Sequence, residues 1–389
     1  MISAFDAAAD DPQHFSAEHR ALRHQLRRFV EAEIKPHALD WEAQGSVPRA
    51  VLRRMGELGF FGIRYAPELG GSGMDPLASV ILAEELGRST FGGVAITALV
   101  HTDMASVHIQ NAGSEAQRRH WLPRVISGEV ITAVAITEPG AGSDVKGLRT
   151  TARREGADFV LNGTKTFITN GVLGDLYCVA ARSSGAPGDS AGVTMFLVEK
   201  GTPGFTVTRA LEKHGWLSSD TAELAFVDAR VPAANVLGAE GRGFYEIMKN
   251  FQNERLVLGA MAVGEAQVAL ALTLDHLRSR QAFGATLWDK QVIRQRMAML
   301  AARTEAARAL IYATAERLGR GVDQVREVSM IKALCGELVN AVMYDCLQFH
   351  GGMGFMRGSA IERMARDARV QAIGGGATEV MLEEVAKRL

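Results

Sequence analysis

Hydrophobic periodicity changes twice along this chain, and that change restricts the possible folds more than any other feature. Residues 16 to about 128 place apolar groups every three or four positions, as in 21–30 and 51–58, which is the period of amphipathic helices. Residues 66–73, rich in Gly and carrying Pro67, interrupt that pattern as a loop. From about Glu129 to Pro232 the character becomes strand. Residues 193–198 and 205–208 are rich in β-branched side chains, and 148–153 and 158–162 suit a hairpin turning at 154–157. From Gly241 to Leu389 long helical patterns return. Helices, then strands, then helices predict an α+β chain with a β domain between two helical ones, at 1–128, 129–237 and 238–389.

Charge excludes several functions. Lys+Arg 43 nearly cancels Asp+Glu 44, so a formal net charge of -1 offers no global field for a nucleic-acid backbone. The three cysteines (Cys178, Cys335 and Cys346) form no Cys-x-x-Cys pair, which argues against a disulfide framework or a thiolate metal site. No cluster of His, Cys and carboxylates has metal-ligand spacing. Residues 1–20 carry no apolar core of a secretory signal, and charges interrupt the apolar runs before a membrane-spanning length, so the expected location is cytoplasmic. The glycine loops beginning at Gly140 and Gly352 fail Gly-x-Gly-x-x-Gly at its last position, and no Gly-Lys-Ser/Thr is present, so neither a Rossmann nor a P-loop nucleotide site is indicated.

Ala135-Ile136-Thr137-Glu138-Pro139-Gly140-Ala141-Gly142-Ser143-Asp144 resembles the signature of the acyl-CoA dehydrogenase family. Further family-like stretches follow in order: Asn162 to Gly171, Gly215-Trp216, Ser219-Asp220-Thr221, Phe226-Val227-Asp228, Arg280-Gln281-Ala282-Phe283-Gly284 and Gln348-Phe349-His350-Gly351-Gly352. The resemblance covers nearly the whole chain. It implies a helical N-terminal domain, a β-barrel-like middle domain, a C-terminal four-helix bundle, and FAD extended between the last two. Ile136, Thr137, Phe167 and Thr169 would face the isoalloxazine ring, with Gly142 and Ser143 in the same motif; hydroxyls can bond ring heteroatoms while an aromatic packs on the ring. Arg280 and Phe283 would reach the FAD of a neighbouring subunit, Arg280 near the pyrophosphate, where a planar permanent cation suits phosphate. Gln291, Gln348, Gly352 and Glu379 would contact the adenosine half. A site shared between subunits implies an obligate oligomer, and the family resemblance implies a homotetramer with an electron-transfer flavoprotein as electron acceptor.

Removing the α-proton of a thioester needs an aimed base. Many family members carry this glutamate in a C-terminal aromatic-Glu-Gly-Thr stretch. Here that stretch reads Ile373-Gly374-Gly375-Gly376-Ala377-Thr378, and Gly375 has no base to offer. Long-chain and isovaleryl-type members instead carry the base on a helix in a Glu-Arg-Leu context, which matches Glu254-Arg255-Leu256. Ile247, Phe251, Glu254 and Leu258, spaced 4, 3 and 4, share one helical stripe, so Glu254 falls within an apolar face where desolvation raises a carboxyl pKa. A glutamate paired with an arginine for structure fits the same stripe, and Glu265 lies further along it. By the same resemblance the Gly375 N–H would serve as an oxyanion donor, and Ser143 and Gly374 would lie beside the substrate. Arg255 is expected either near the CoA phosphates or opposite a carboxylate. His101 and His350 receive no catalytic role. The small Gly374 and Gly375 predict extra room beside the thioester for branched or long acyl groups. Competing readings are a relative that turns FAD to oxygen chemistry, as an oxidase or N-hydroxylase, and a non-catalytic thioester-binding protein.

Overall fold

The structure, a computed structural model, describes residues 13–389. The signal-peptide expectation for residues 1–20 therefore falls largely outside the described residues. Ser16 caps the first helix, Ala17–Phe29, its hydroxyl accepting the His19 N–H at 3.3 Å. A deeply buried N-terminal helix is Pro76–Gly87, started by Asp75, whose carboxylate accepts the Leu77 N–H at 2.9 Å. Every residue from Leu77 to Gly87 is buried, because this helix lies against the long C-terminal helix Gly243–Ser279. Glycines face each other at the crossing: a Cβ at Gly87 would collide with the Met261 carbonyl and one at Gly264 with that of Glu84. The two helical regions thereby share one hydrophobic core. Glu84 and Glu85 inside it are matched by Arg23, whose Nη1 donates to Glu84 Oε2 at 2.8 Å and Glu85 Oε1 at 3.1 Å. Unpaired, those buried carboxylates would cost several kcal/mol, on the order of 3–5.

Between the helical regions stands a sheet of eight strands: β1 (Thr132–Ala135), β2 (Thr151–Glu155), β3 (Asp158–Thr169), β4 (Leu176–Arg182), β5 (Val193–Glu199), β6 (Phe205–Ala210), β7 (Thr221–Pro232) and β8 (Val236–Leu237). Their order is β6-β7-β3-β2-β4-β5-β8, with β1 parallel to β4. The expected hairpin is β2–β3, but its turn is shorter than predicted: Arg154 and Glu155 stay in the ladder, opposite Phe159 and Asp158, and only Gly156-Ala157 turns. Gly156, at φ +60°, supplies the left-handed backbone. Alternation separates the two faces. Leu176, Cys178 and Ala180 join a core that includes Trp121, Val125 and Ile247 of the helices. Tyr177, Val179 and Ala181 join an inner core with Phe159, Phe196, Phe205 and Phe226 from other strands.

The C-terminal region packs Gly243–Ser279, Gln291–Gly319, Val325–His350 and Thr378–Ala386 together, with the shorter helix Ala360–Ala368 against them. One buried carboxylate ties all three regions. Asp367 accepts the Gly92 N–H at 3.0 Å and the Trp216 N–H at 2.6 Å, one from each of the other two regions. Charges at Glu254, Arg255 and Glu265 interrupt the apolar residues of the longest helix. Gly243–Ser279 is long and apolar enough to cross a membrane, with a mean hydropathy of 1.7 in its most apolar window, but 83% of that window is buried inside the protein.

Candidate active site

Glu254 sits one-third of the way along the long helix, and the predicted stripe faces inward. Ile247 and Leu258 are buried, and Phe251 packs in the cluster that also takes Ile136 from the end of β1. Glu254 is 7% exposed, and its Oε1 accepts from Asn250 Nδ2, one turn earlier, at 2.8 Å. The Asn250 amide is itself fixed by donating to the Met104 carbonyl at 3.0 Å. Burial pushes the Glu254 carboxyl up to about 8, with the Asn250 bond and the Arg255 cation pulling weakly the other way. An acid of that pKa is divided between proton donor and acceptor near neutral pH, as a general base requires.

Arg255 does not stand opposite a carboxylate. Its Nη1 donates to Ser329 Oγ at 3.4 Å and its guanidinium lies 5.2 Å from the Phe251 ring centroid. No carboxylate among the described residues stands within ion-pair distance of it, while Nε is buried and unbonded. It thus keeps an uncommitted charge beside Glu254.

Across from the helix, the loop 373–377 approaches Leu258, which lies one turn beyond Glu254. Gly375 has φ +65° and Gly376 φ +110°, both in the region that favours glycine. A Cβ at Gly375 would overlap Leu258 Cδ1. The predicted extra room at Gly375 is therefore corrected: the long helix refills it with Leu258, leaving only Gly374 with ordinary van der Waals space, near Val370. The sequence reasoning also missed what holds this loop. Lys332, buried on the helix Val325–His350, donates to the Gln371 carbonyl at 2.6 Å and the Gly376 carbonyl at 3.0 Å. Its signal in the sequence was a lone cation in the apolar run Met330-Ile331-Lys332-Ala333-Leu334.

Glu265, the other acid on the stripe, belongs to a different setting. It lies eleven residues, about 16 Å, further along the helix and accepts from Gln371 Nε2 at 2.8 Å. Burial raises its carboxyl well above the usual range, with the charge of Asp367 adding to the effect.

The remaining predicted residues fall into separate groups. Ile136 and Thr137 follow β1 and are drawn to β3: Lys165 Nζ donates to the Ile136 carbonyl at 3.0 Å and to Glu138 Oε1 at 2.7 Å, and the Thr166 N–H donates to the Thr137 carbonyl at 2.9 Å. Between Lys165 and Ile168 the β3–β7 register shifts, and at that bulge Phe167 takes φ +58° and presents a ring 69% exposed. Thr169 is half-buried beside it, and Gly142 and Ser143 lie exposed on the following loop. The second group is at the far ends of the C-terminal helices. Arg280 ends the long helix, Phe283 tips a two-stranded ribbon, and Gln291 opens the next helix. Gln348 and Gly352 flank the turn after Val325–His350, joined to the Arg280 end by stacking of His276 on His350 at 4.3 Å. Phe283 is 96% exposed. Glu379 does not join this group. It starts the last helix, where Thr378 bonds Glu337, eleven residues or about 16 Å before Gln348 along the helix. His101, given no role, is a core residue between Thr132 and the Val125 carbonyl, its pKa pushed down to about 4 by burial.

Comparison with known proteins finds one family along nearly the whole chain. The acyl-CoA dehydrogenase N-terminal, middle and C-terminal domain families match residues 16–129, 133–229 and 241–389. The chain is 39% identical over 378 residues to the long-chain specific acyl-CoA dehydrogenase of mitochondria from Sus scrofa, covering 96% of this chain and 87% of that protein. An acyl-CoA dehydrogenase of Bacillus subtilis is 36% identical over 97% of this chain and 99% of its own length. The crystal structure of acyl-CoA dehydrogenase from Geobacillus kaustophilus superposes with a TM-score of 0.93 at 39% identity, covering 97% of this chain and 99% of that one. On the three domain matches and these whole-length similarities, the chain belongs to the acyl-CoA dehydrogenase family, oxidoreductases that carry FAD.

Proposed function

We propose that Glu254 is the base that removes the α-proton of an acyl-CoA while the adjacent β-carbon loses its hydrogen with two electrons, giving the trans-2-enoyl-CoA. The observation that carries this reading is a buried carboxyl poised at about 8, fixed by Asn250 and lying one helical turn from the residue that touches the Gly375 loop. The Gly375 N–H serves the thioester oxygen, where negative charge gathers as the proton leaves. The separation of acid and oxyanion donor onto two elements explains how Gly375 can replace a glutamate without loss of the reaction.

FAD fits the group around β3. The exposed Phe167 ring on its bulge supplies a stacking face, and Ile136, Thr137 and Thr169 nearby in the chain or sheet, with Gly142 and Ser143 exposed on the loop after β1, would offer donors, acceptors and approachable backbone. Bound there, FAD supplies the acceptor for the hydrogen leaving the β-carbon. Arg280, Phe283, Gln291, Gln348 and Gly352 form a second recognition group; a ring as exposed as Phe283 is suited to the flavin of another subunit, in a homotetramer. Glu379 is assigned to the adenosine half with them by resemblance alone. Arg255, charged and uncommitted, faces the CoA end, with Ser143 and Gly374 beside the thioester. The relative from Sus scrofa is named for long chains, which places long acyl-CoAs first among substrates, and an electron-transfer flavoprotein is the proposed acceptor of the electrons.

The test is exchange of the α-proton in heavy water under anaerobic conditions. Wild-type protein exchanges it and Glu254→Gln does not. Exchange undiminished in the variant removes Glu254 as base, and rapid oxygen consumption with acyl-CoA in place of dye reduction supports the oxygen-chemistry alternative.

A further inference from the structure

Three adjacent glycines, Gly374-Gly375-Gly376, are a poor way to hold a hydrogen-bond donor in place, since glycine samples more backbone conformations than any other residue. An N–H that must meet a developing charge has to be aimed before the reaction begins. The chain therefore needs something outside the loop to fix it. Local bonds hold it weakly: Ile373 and Gly374 bond back to the Val370 carbonyl at the loop's entry, and across the loop the Thr378 hydroxyl reaches the Ala372 carbonyl at a long 3.4 Å.

The geometry points to Lys332 as the positioning residue that holds the Gly375 N–H in line for the thioester oxygen. This rests on the reading that the Gly375 N–H is the oxyanion donor. Lys332 Nζ bridges the Gln371 and Gly376 carbonyls, the two ends of the turn that contains Gly375, at 2.6 and 3.0 Å. Its own aliphatic stem lies under the same residue, with Cε 3.7 Å from where a Gly375 Cβ would be. Leu258 closes the other side. The ammonium has no carboxylate partner among the described residues, so two backbone carbonyls are its documented ligands. Charged donors make stronger hydrogen bonds than neutral ones, so one buried cation clamps both ends of a flexible turn. Burial also lowers its pKa to about 8, with the nearby Arg255 cation acting in the same direction and Cys335 opposing.

The experiment uses flavin-loaded protein and an acyl-CoA labelled with carbon-13 at the thioester carbonyl. In the Glu254→Gln background, which does not turn over, the bound carbonyl stretch is read by difference infrared spectroscopy. A shift to lower frequency on binding reports the hydrogen bond to its oxygen. Adding Lys332→Met is expected to abolish most of that shift. In the Glu254 wild-type background, Lys332→Met lowers kcat at least about tenfold while KM changes less than about threefold, because the interaction lost develops in the transition state. Lys332→Gln retains a neutral N–H donor group without the charge, recovers part of both, and serves in place of the methionine variant should that protein fail to bind flavin. A carbonyl shift equal with and without Lys332 overturns the positioning role while leaving the oxyanion reading intact. No shift in either protein overturns the Gly375 reading, and the Lys332 role with it.

Discussion

Glu254→Gln separates what a buried base contributes to chemistry from what it costs in stability. The substitution keeps the shape and leaves an acceptor for Asn250 Nδ2. The carboxyl moves from 4.5 to about 8 on folding, a rise of about 3.5 units worth roughly 5 kcal/mol at about 1.36 kcal/mol per unit. For an acid whose folded pKa is raised, the folded state keeps a proton that the unfolded state has lost. Stability is then greatest below the unfolded value and falls as pH rises from about 4.5 to about 8. Between pH 5 and pH 8 the wild type loses about 4 kcal/mol from this group alone, and Glu254→Gln loses none of it. The assay is urea unfolding of flavin-loaded wild type and variant at both pH values, reading the difference of differences so that other titrating groups cancel. Activity moves oppositely: wild-type kcat/KM rises about tenfold per pH unit below about 8, since the ionised form is the base, while the variant, lacking the titrating group, lies about 10²–10⁴-fold below the wild-type plateau above pH 8 and the gap narrows at lower pH. Parallel stability profiles in the two proteins, or a wild-type rate independent of pH below 8, would refute the assignment of a strongly desolvated base.

Gly375→Ala forces a side chain into left-handed backbone and against Leu258, so it should lower kcat and cost about 1–3 kcal/mol of stability; pairing it with Leu258→Ala should return part of the activity, as steady-state kinetics would show. Burial raises the Glu265 carboxyl well above its usual range, and Glu265→Gln keeps its shape and an acceptor for Gln371, so it should keep kcat within about threefold, in contrast to Glu254→Gln. Phe283→Ala removes a ring with almost no contacts in its own protomer; it should leave protomer folding by circular dichroism unchanged yet weaken flavin retention in a filtration assay, and equal retention would dismiss the shared site.

Periodicity alone carried much of this reading. The inward stripe Ile247, Phe251, Glu254 and Leu258 could be counted from helical spacing, because one face of a helix is set by local geometry. The glycine at 375 misled for the complementary reason. Whether a missing side chain leaves space depends on what packs opposite, and Leu258, more than a hundred residues away in sequence, fills it. Glu379 stood with Gln348 by resemblance, but the last helix starts beside Glu337 and keeps them apart within one protomer. Lys332 and Asp367 were not singled out, because each acts on backbone groups of distant segments, and the sequence does not display which carbonyls or N–H groups end up unpaired. Asn250 was within reach: it precedes Glu254 by one helical turn, where a side-chain partner belongs.

The most direct test of the central claim is an anaerobic titration of flavin-loaded protein with a panel of acyl-CoAs, following the visible absorption of the flavin for wild type and Glu254→Gln. The account predicts that wild type bleaches with at least one acyl class, yielding the enoyl-CoA, and that the variant binds the same thioester with its flavin still oxidised. Bleaching of both proteins at equal rates would contradict the role of Glu254, and an oxidised flavin in both with every thioester would contradict acyl-CoA dehydrogenation itself.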